Sequence, residues 1–151
     1  MCIRDSYWIN ESDIVICSED AQFFDPHTTF GLVPSNEPIG LARTVHVREA
    51  LRIALMGNDE RVSAETALRI GLVSEITARE TLWDRAHEIA AVIAEKPSVA
   101  TQGAVRAVWE SLDKGRQAAL DQGLIYNRIG NPIGEPQVDR TSMKKRRWSL
   151  R

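Results

Sequence analysis

The stretch "SAETALRIGLV", Ser63 to Val73, carries a helix start, a helix and a helix stop in one short phrase. Ser63 has the side chain of an N-cap, an oxygen able to accept from an amide of the first turn. Ala67 and Leu68 follow at helical spacing, and Gly71 is the residue type on which a helix closes most readily. The chain then returns to extended structure in "LVSEI", Leu72 to Ile76.

On the N-terminal side, the β-branched run "DIVIC" (Asp13–Cys17) predicts a buried strand, and Ala21–Phe24 a second short one. Two short strands do not make a stable sheet, so partners from outside this chain are expected. Next comes "FFDPHTTFGLVPSNEPIG", Phe23 to Gly40, crowded with aromatic, acidic, histidine and proline residues. So dense a connection between regular elements reads as a functional loop rather than a bare connector. Near Asn36 and Glu37 a helix is expected to begin, with Pro38 in its first turn and Ile39, Leu41, Ala42 and Val45 turned to the core. "REALRIALMG" predicts another helix, carrying Ala50, Leu51, Ala54 and Leu55 and stopping at Gly57.

On the C-terminal side, Thr77-Ala78-Arg79-Glu80 has the pattern of a capping box. The helix it opens is expected to reach about Lys96, with Leu82, Ala86, Ile89 and Ile93 on one face. Pro97 stops it, Ser98 starts a helix through Val105, Val108 and Leu112, and a last helix after Gly115 carries Ala119, Leu120, Leu124 and Ile125. "GNPIGEP", from Gly130, is expected to end regular structure.

With 151 residues, 43% of them hydrophobic and 26% charged, the composition is that of a soluble globular domain. No apolar run is long enough for a membrane span, and, with no basic, apolar, small-residue series at its start, no secretory leader is expected. Cys2 and Cys17 do not suggest a disulfide framework, which fits a reducing compartment, and a cytoplasmic location is expected. Asn10-Glu11-Ser12 matches a glycosylation pattern and reads as chance. "MCIRDS" (residues 1–6) resembles a translated sequencing adaptor, so the chain is expected to be the C-terminal piece of a longer protein. Net charge is −2, yet Arg140, Lys144, Lys145, Arg146, Arg147 and Arg151 gather at the end with no acid among them. Such a tail is a solvated end, a nucleic-acid arm or a grip on a phosphorylated ligand.

Common catalytic signatures are missing, including glycine-rich phosphate loops and the Gly-x-Ser-x-Gly elbow. His87-Glu88 starts like a zinc-protease helix, but Ala91 stands where the second histidine would be. With scattered histidines and no Cys-x-x-Cys, no metal site is expected. His46 and His87 read as solvated or capping residues.

What is present is a series in order: the acid-initiated strand at Asp13, Phe23-x-x-Pro26, Gly31-Leu32-Val33-Pro34, then "SAETALRIGLV" at a fitting distance. This series resembles the crotonase superfamily, the enoyl-CoA hydratase/isomerase family, in the C-terminal portion of its domain. The resemblance implies an α/β fold: part of a ββα spiral (residues 7–76), a helical oligomerisation region (77–130) and a basic tail (131–151). It implies acyl-CoA substrates, no separate cofactor, and a homotrimer or homohexamer. It also implies enolate stabilisation by two backbone amides, both expected outside this chain.

The same resemblance places His27 where hydratases carry a second glutamate, which puts two-glutamate hydration in doubt. Isomerases place a lone carboxylate just after the Gly-Leu-Val-Pro segment, and Glu37 lies close to that position. Glu37 and His27 are therefore the expected proton carriers, with Glu37 preferred. Asp25 and Pro34 are expected to line the substrate site, and Lys145 and Arg146 to meet CoA phosphates. Plainer readings stand beside these: Asp25 fixing a turn, His27 as a packed pocket residue, Glu37 as a helix-start acid. A few relatives bind RNA, but the tail lacks interleaved aromatics and no nucleic-acid partner is expected. The other reading of the whole chain is a helical oligomerisation or binding module without turnover, or an inactive fragment.

Overall fold

The computed structural model describes residues 8–143. The chain divides into two compact units, Met1–His87 and Glu88–Arg151. The proposed adaptor-derived residues 1–6 and the cations from Lys144 onward lie outside the described residues.

In the first unit, β1 (Ile16–Ser18) and β2 (Gln22–Phe23) are followed by a 3-10 turn at His27–Phe30. Then come α1 (Asn36–Thr44), α2 (Val47–Met56), β3 (Val62–Ser63), α3 (Ala64–Ile70) and β4 (Glu75–Thr77). Both strands expected to lack partners find them within the chain. β1 pairs in parallel with β4, setting Cys17 opposite Ile76, and β2 pairs antiparallel with β3, setting Phe23 opposite Val62. β3 escapes sequence reading because it is two residues long, and its second residue is the N-cap of α3.

Helix α3 forms as the sequence predicts. The Ser63 hydroxyl accepts from the Thr66 amide at 3.3 Å, and Gly71, at φ 83°, sends its N–H back to Ala67 and Leu68. Ala64 and Ala67 are fully buried, so the helix presses its small-residue face onto Phe23, Val62, Leu72 and Val73. The adjoining strand is held by Ser74, whose N–H and hydroxyl both donate to the Val15 carbonyl.

The inward faces of α1 and α2 are narrower than the spacing suggests. Leu41, Val45, Ala50, Ile53 and Ala54 are buried, whereas Ile39 is 63% and Leu55 71% exposed. Ala42 and Leu51 also face outward. Only one stripe of each helix meets the core, and Ile53 rather than Leu51 lies on it.

The expected capping box at Thr77 does not form. Thr77 is the last residue of β4, opposite Ser18, and its hydroxyl donates to the Ala78 carbonyl. A 3-10 turn at Arg79–Thr81 intervenes before α4 (Leu82–Ala94). Strand pairing has taken the residue that a local signal assigned to the cap.

In the second unit, α5 (Ser98–Ser111) and α6 (Arg116–Gly134) form a hairpin closed by the turn at 112–115. α6 does not end at Gly130; it runs through Pro132 to Gly134. Proline removes one intrahelical donor, normally a serious cost. Here the glycines serve packing instead: a Cβ at Gly130 would lie 3.4 Å from Val99 Cγ2, and one at Gly134 3.2 Å from Val99 Cγ1. Lacking side chains, they let the end of α6 close on the start of α5. A 3-10 turn at Glu135–Gln137 and α7 (Arg140–Met143) follow.

Candidate functional site

The loop between β2 and α1 opens on Asp25, whose side chain is 2% exposed. Its Oδ1 accepts the backbone N–H of His27 at 3.0 Å, the local turn that an aspartate before proline favours. The same oxygen lies 2.5 Å from His27 Nδ1. An ionised carboxylate oxygen only accepts, so this contact favours a hydrogen on Nδ1 of the neutral ring. Asp25 Oδ2 is buried with no hydrogen-bond partner in the described structure. Asp25 also borders a narrow recess of about 10 Å³ whose other walls, including Phe23, Phe24, Leu41 and Ile53, are apolar.

The turn that carries His27 is fastened from below. The Thr28 hydroxyl donates to the Ala54 carbonyl at 2.8 Å, and the Thr29 hydroxyl accepts the Asn58 amide at 2.8 Å. Gly57, at φ 59°, makes this approach possible, because a Cβ there would run into Thr29 Oγ1. Gly31, at φ 70°, closes the turn with its N–H on the Thr28 carbonyl. Phe30, Leu32 and Val33 then turn outward, Val33 being 90% exposed.

Pro34 is half-buried, and Glu37 is half-buried in the first turn of α1. Among the described residues, no hydrogen bond or ion pair joins the Glu37 carboxylate to Asp25 or His27. The structure thus brings Asp25 and His27 together and leaves Glu37 on a separate element. Lys145 and Arg146 lie outside the described residues. His46 caps α2, accepting the Arg48 amide at 3.3 Å, and exposed His87 meets the Trp83 carbonyl. No cluster of three or more metal-ligating side chains occurs among the described residues.

Two residues beside the loop were not singled out in the sequence for this role. Asn10 is 4% exposed and donates from Nδ2 to the Glu37 carbonyl at 2.9 Å. It fits because Gly40 has no side chain; a Cβ there would overlap the Asn10 amide. Its burial bars it from acting as a glycosylation acceptor in this fold. Arg61 stacks over the Phe24 ring, 3.3 Å from the centroid. Neither contact has a local sequence pattern, since each joins residues far apart in the chain.

Residues 10–129 match the family described as "Enoyl-CoA hydratase/isomerase". An enoyl-CoA hydratase/isomerase from Mycobacterium paratuberculosis superposes with a TM-score of 0.84 at 35% identity, over 95% of this chain and 55% of that one. One from Cupriavidus metallidurans CH34 gives 0.83 at 26% identity, over 94% and 53%. Carnitinyl-CoA dehydratase of Salmonella paratyphi A is 27% identical over 119 residues, which is 79% of this chain and 44% of the relative. The chain therefore spans about half the length of the proteins it matches. Its helix-rich build, with two small sheets, is that of the C-terminal portion of the crotonase-like fold. The chain belongs to the enoyl-CoA hydratase/isomerase family.

Proposed function

We propose that this chain forms part of an enzyme that acts on acyl-CoA thioesters, moving a proton next to the thioester carbonyl through an enolate. The observation that carries this reading is the family match, whose bounds, residues 10–129, take in the loop and its flanking helices. His27 is placed first as proton carrier and Glu37 second, reversing the preference drawn from sequence. His27 has its ring held by a buried carboxylate, whereas Glu37 has no such support. The base takes a proton from the carbon, the C–H bonding pair passes to the thioester oxygen as the enolate, and the same group returns the proton to a carbon. No cofactor beyond the CoA carried by the substrate is needed for these steps.

Pro34 lies on the loop that this reading sets beside the acyl group, and Lys145 and Arg146 would meet the CoA phosphates. A homotrimer or homohexamer in the cytoplasm, without a nucleic-acid partner, completes the proposal. Exposed apolar residues on the hairpin, such as Val108, Leu120 and Leu124, support assembly. Among the described residues, no helix is long and apolar enough to cross a membrane.

The test is turnover of a panel of 2-enoyl and 3-enoyl thioesters by the longest reading frame that contains the chain. His27→Gln is expected to lower kcat roughly 10²-fold or more, the range of general acid–base catalysis. Glu37→Gln is expected to cost less. A larger loss for Glu37→Gln would restore the carboxylate as base, and wild-type rates in both would leave the loop a wall only. No turnover of any thioester would favour a non-catalytic oligomerisation or binding module.

A further inference from the structure

We infer that Asp25 is the positioning residue of His27, fixing both the tautomer and the aim of the imidazole that moves the substrate proton; this rests on the thioester chemistry proposed above. A turn-forming aspartate needs only one contact, from a backbone N–H two residues on. Asp25 makes that contact at 3.0 Å and adds a second from the same oxygen, 2.5 Å from Nδ1. Main chain and ring of His27 are thus referred to a single atom. With Asp25 at 2% side-chain exposure and His27 at 14%, water competes little for the contact, and a charge-assisted hydrogen bond gains strength where water is excluded. The turn beneath cannot swing freely, because Thr28 and Thr29 tie it to Ala54 and Asn58.

The chemistry follows from which nitrogen holds the hydrogen. With Nδ1–H on Asp25, the Nε2 lone pair is always the one presented. It takes the proton from the substrate carbon, the C–H pair becomes the enolate, and the resulting imidazolium faces the Asp25 carboxylate. Nε2 then gives the proton to a carbon, and the neutral ring is restored. A ring without this partner spends part of its time with the hydrogen on Nε2, where it accepts nothing. An oriented base of this kind is the general arrangement of an activating side chain held by a third group.

Nitrogen-15 NMR of the labelled chain reads the tautomer directly, without substrate. The neutral His27 ring is expected to carry its hydrogen on Nδ1. Asp25→Ala is expected to abolish that preference and, in the turnover assay, to lower kcat roughly 10-fold to 10²-fold with KM within about twofold. Asp25→Asn, whose amide oxygen can occupy the place of Oδ1, is expected to restore the tautomer and part of the rate. A wild-type ring with its hydrogen on Nε2 overturns the proposal, as does an Asp25→Ala ring indistinguishable from wild type. The expected tautomer together with no turnover of any thioester overturns the chemistry proposed above, while the hold of Asp25 on the ring stands.

Discussion

Thr28 gives its hydroxyl hydrogen to the Ala54 carbonyl at 2.8 Å, joining the His27 turn to the last turns of α2 across 26 positions of sequence. Ala54 is 4% exposed, so little water can replace the hydroxyl if it is lost. Thr28→Val keeps the shape and removes the donor. Stability is expected to fall by about 1–3 kcal/mol, the cost of leaving a buried acceptor unpaired. Urea unfolding checks this, with Thr28→Ser expected to retain most of the wild-type midpoint.

Gly57 tests the same junction from the other side. Its φ of 59° is strained for a residue with a side chain, and an added methyl would collide with Thr29 Oγ1. Gly57→Ala is expected to cost about 1–3 kcal/mol from backbone strain, before the collision is counted. Chemical denaturation measures the total. An unchanged midpoint would mean the turn relaxes without cost.

Glu110 is the hub of the α5–α6 hairpin. It accepts from the Tyr126 hydroxyl at 2.6 Å and from Gln122, Lys114 and Arg106. The Tyr126 hydrogen bond, with Lys114 and Arg106 behind it, holds the carboxyl below its ordinary range. A depressed carboxylate stabilises the fold above its unfolded pKa and loses that contribution as pH falls through the folded one. The thermal midpoint of the hairpin is therefore expected to drop on acidification below about pH 4.3. Glu110→Gln should flatten that part of the profile; equal slopes would show that other carboxylates govern it.

Cys17 sits in β1 at 6% exposure, and burial, with the Glu65 charge second, pushes its thiol above its ordinary value. The folded chain holds this proton more tightly than the unfolded chain does. That contribution is complete at neutral pH and is lost as pH rises past the ordinary thiol range, near ~8.5. Alkylation of Cys17 by iodoacetamide at pH 7.5, followed by peptide mapping, is expected to be slow in the native chain and fast in urea. Rapid native labelling would show that β1 opens readily.

What the sequence disclosed was local, and what it concealed was long-range. Ser63, Gly71 and Pro97 act within a few residues of themselves, and their roles were readable directly. The turn made by Asp25 was readable for the same reason, since its partner is two positions away. Thr77 shows the opposite case: a valid local cap signal gave way to pairing with β1, which is distant in sequence. The hold of Asn10 on Glu37 and the Thr28–Ala54 bond depend on how elements meet, and no spacing rule encodes that. Gly130 and Pro132 misled because breakers are read by propensity, whereas here the absent side chain is what the neighbouring helix requires.

The seating of Val99 between Gly130 and Gly134 also limits how this part of the gene can change length. One residue inserted in either helix turns everything beyond it by about 100°, since a turn takes 3.6 residues. The glycine face would rotate off Val99 and a bulkier one would arrive. Insertions and deletions between positions 99 and 130 should therefore survive only in the turn at 112–115, where added residues leave both helical phases intact.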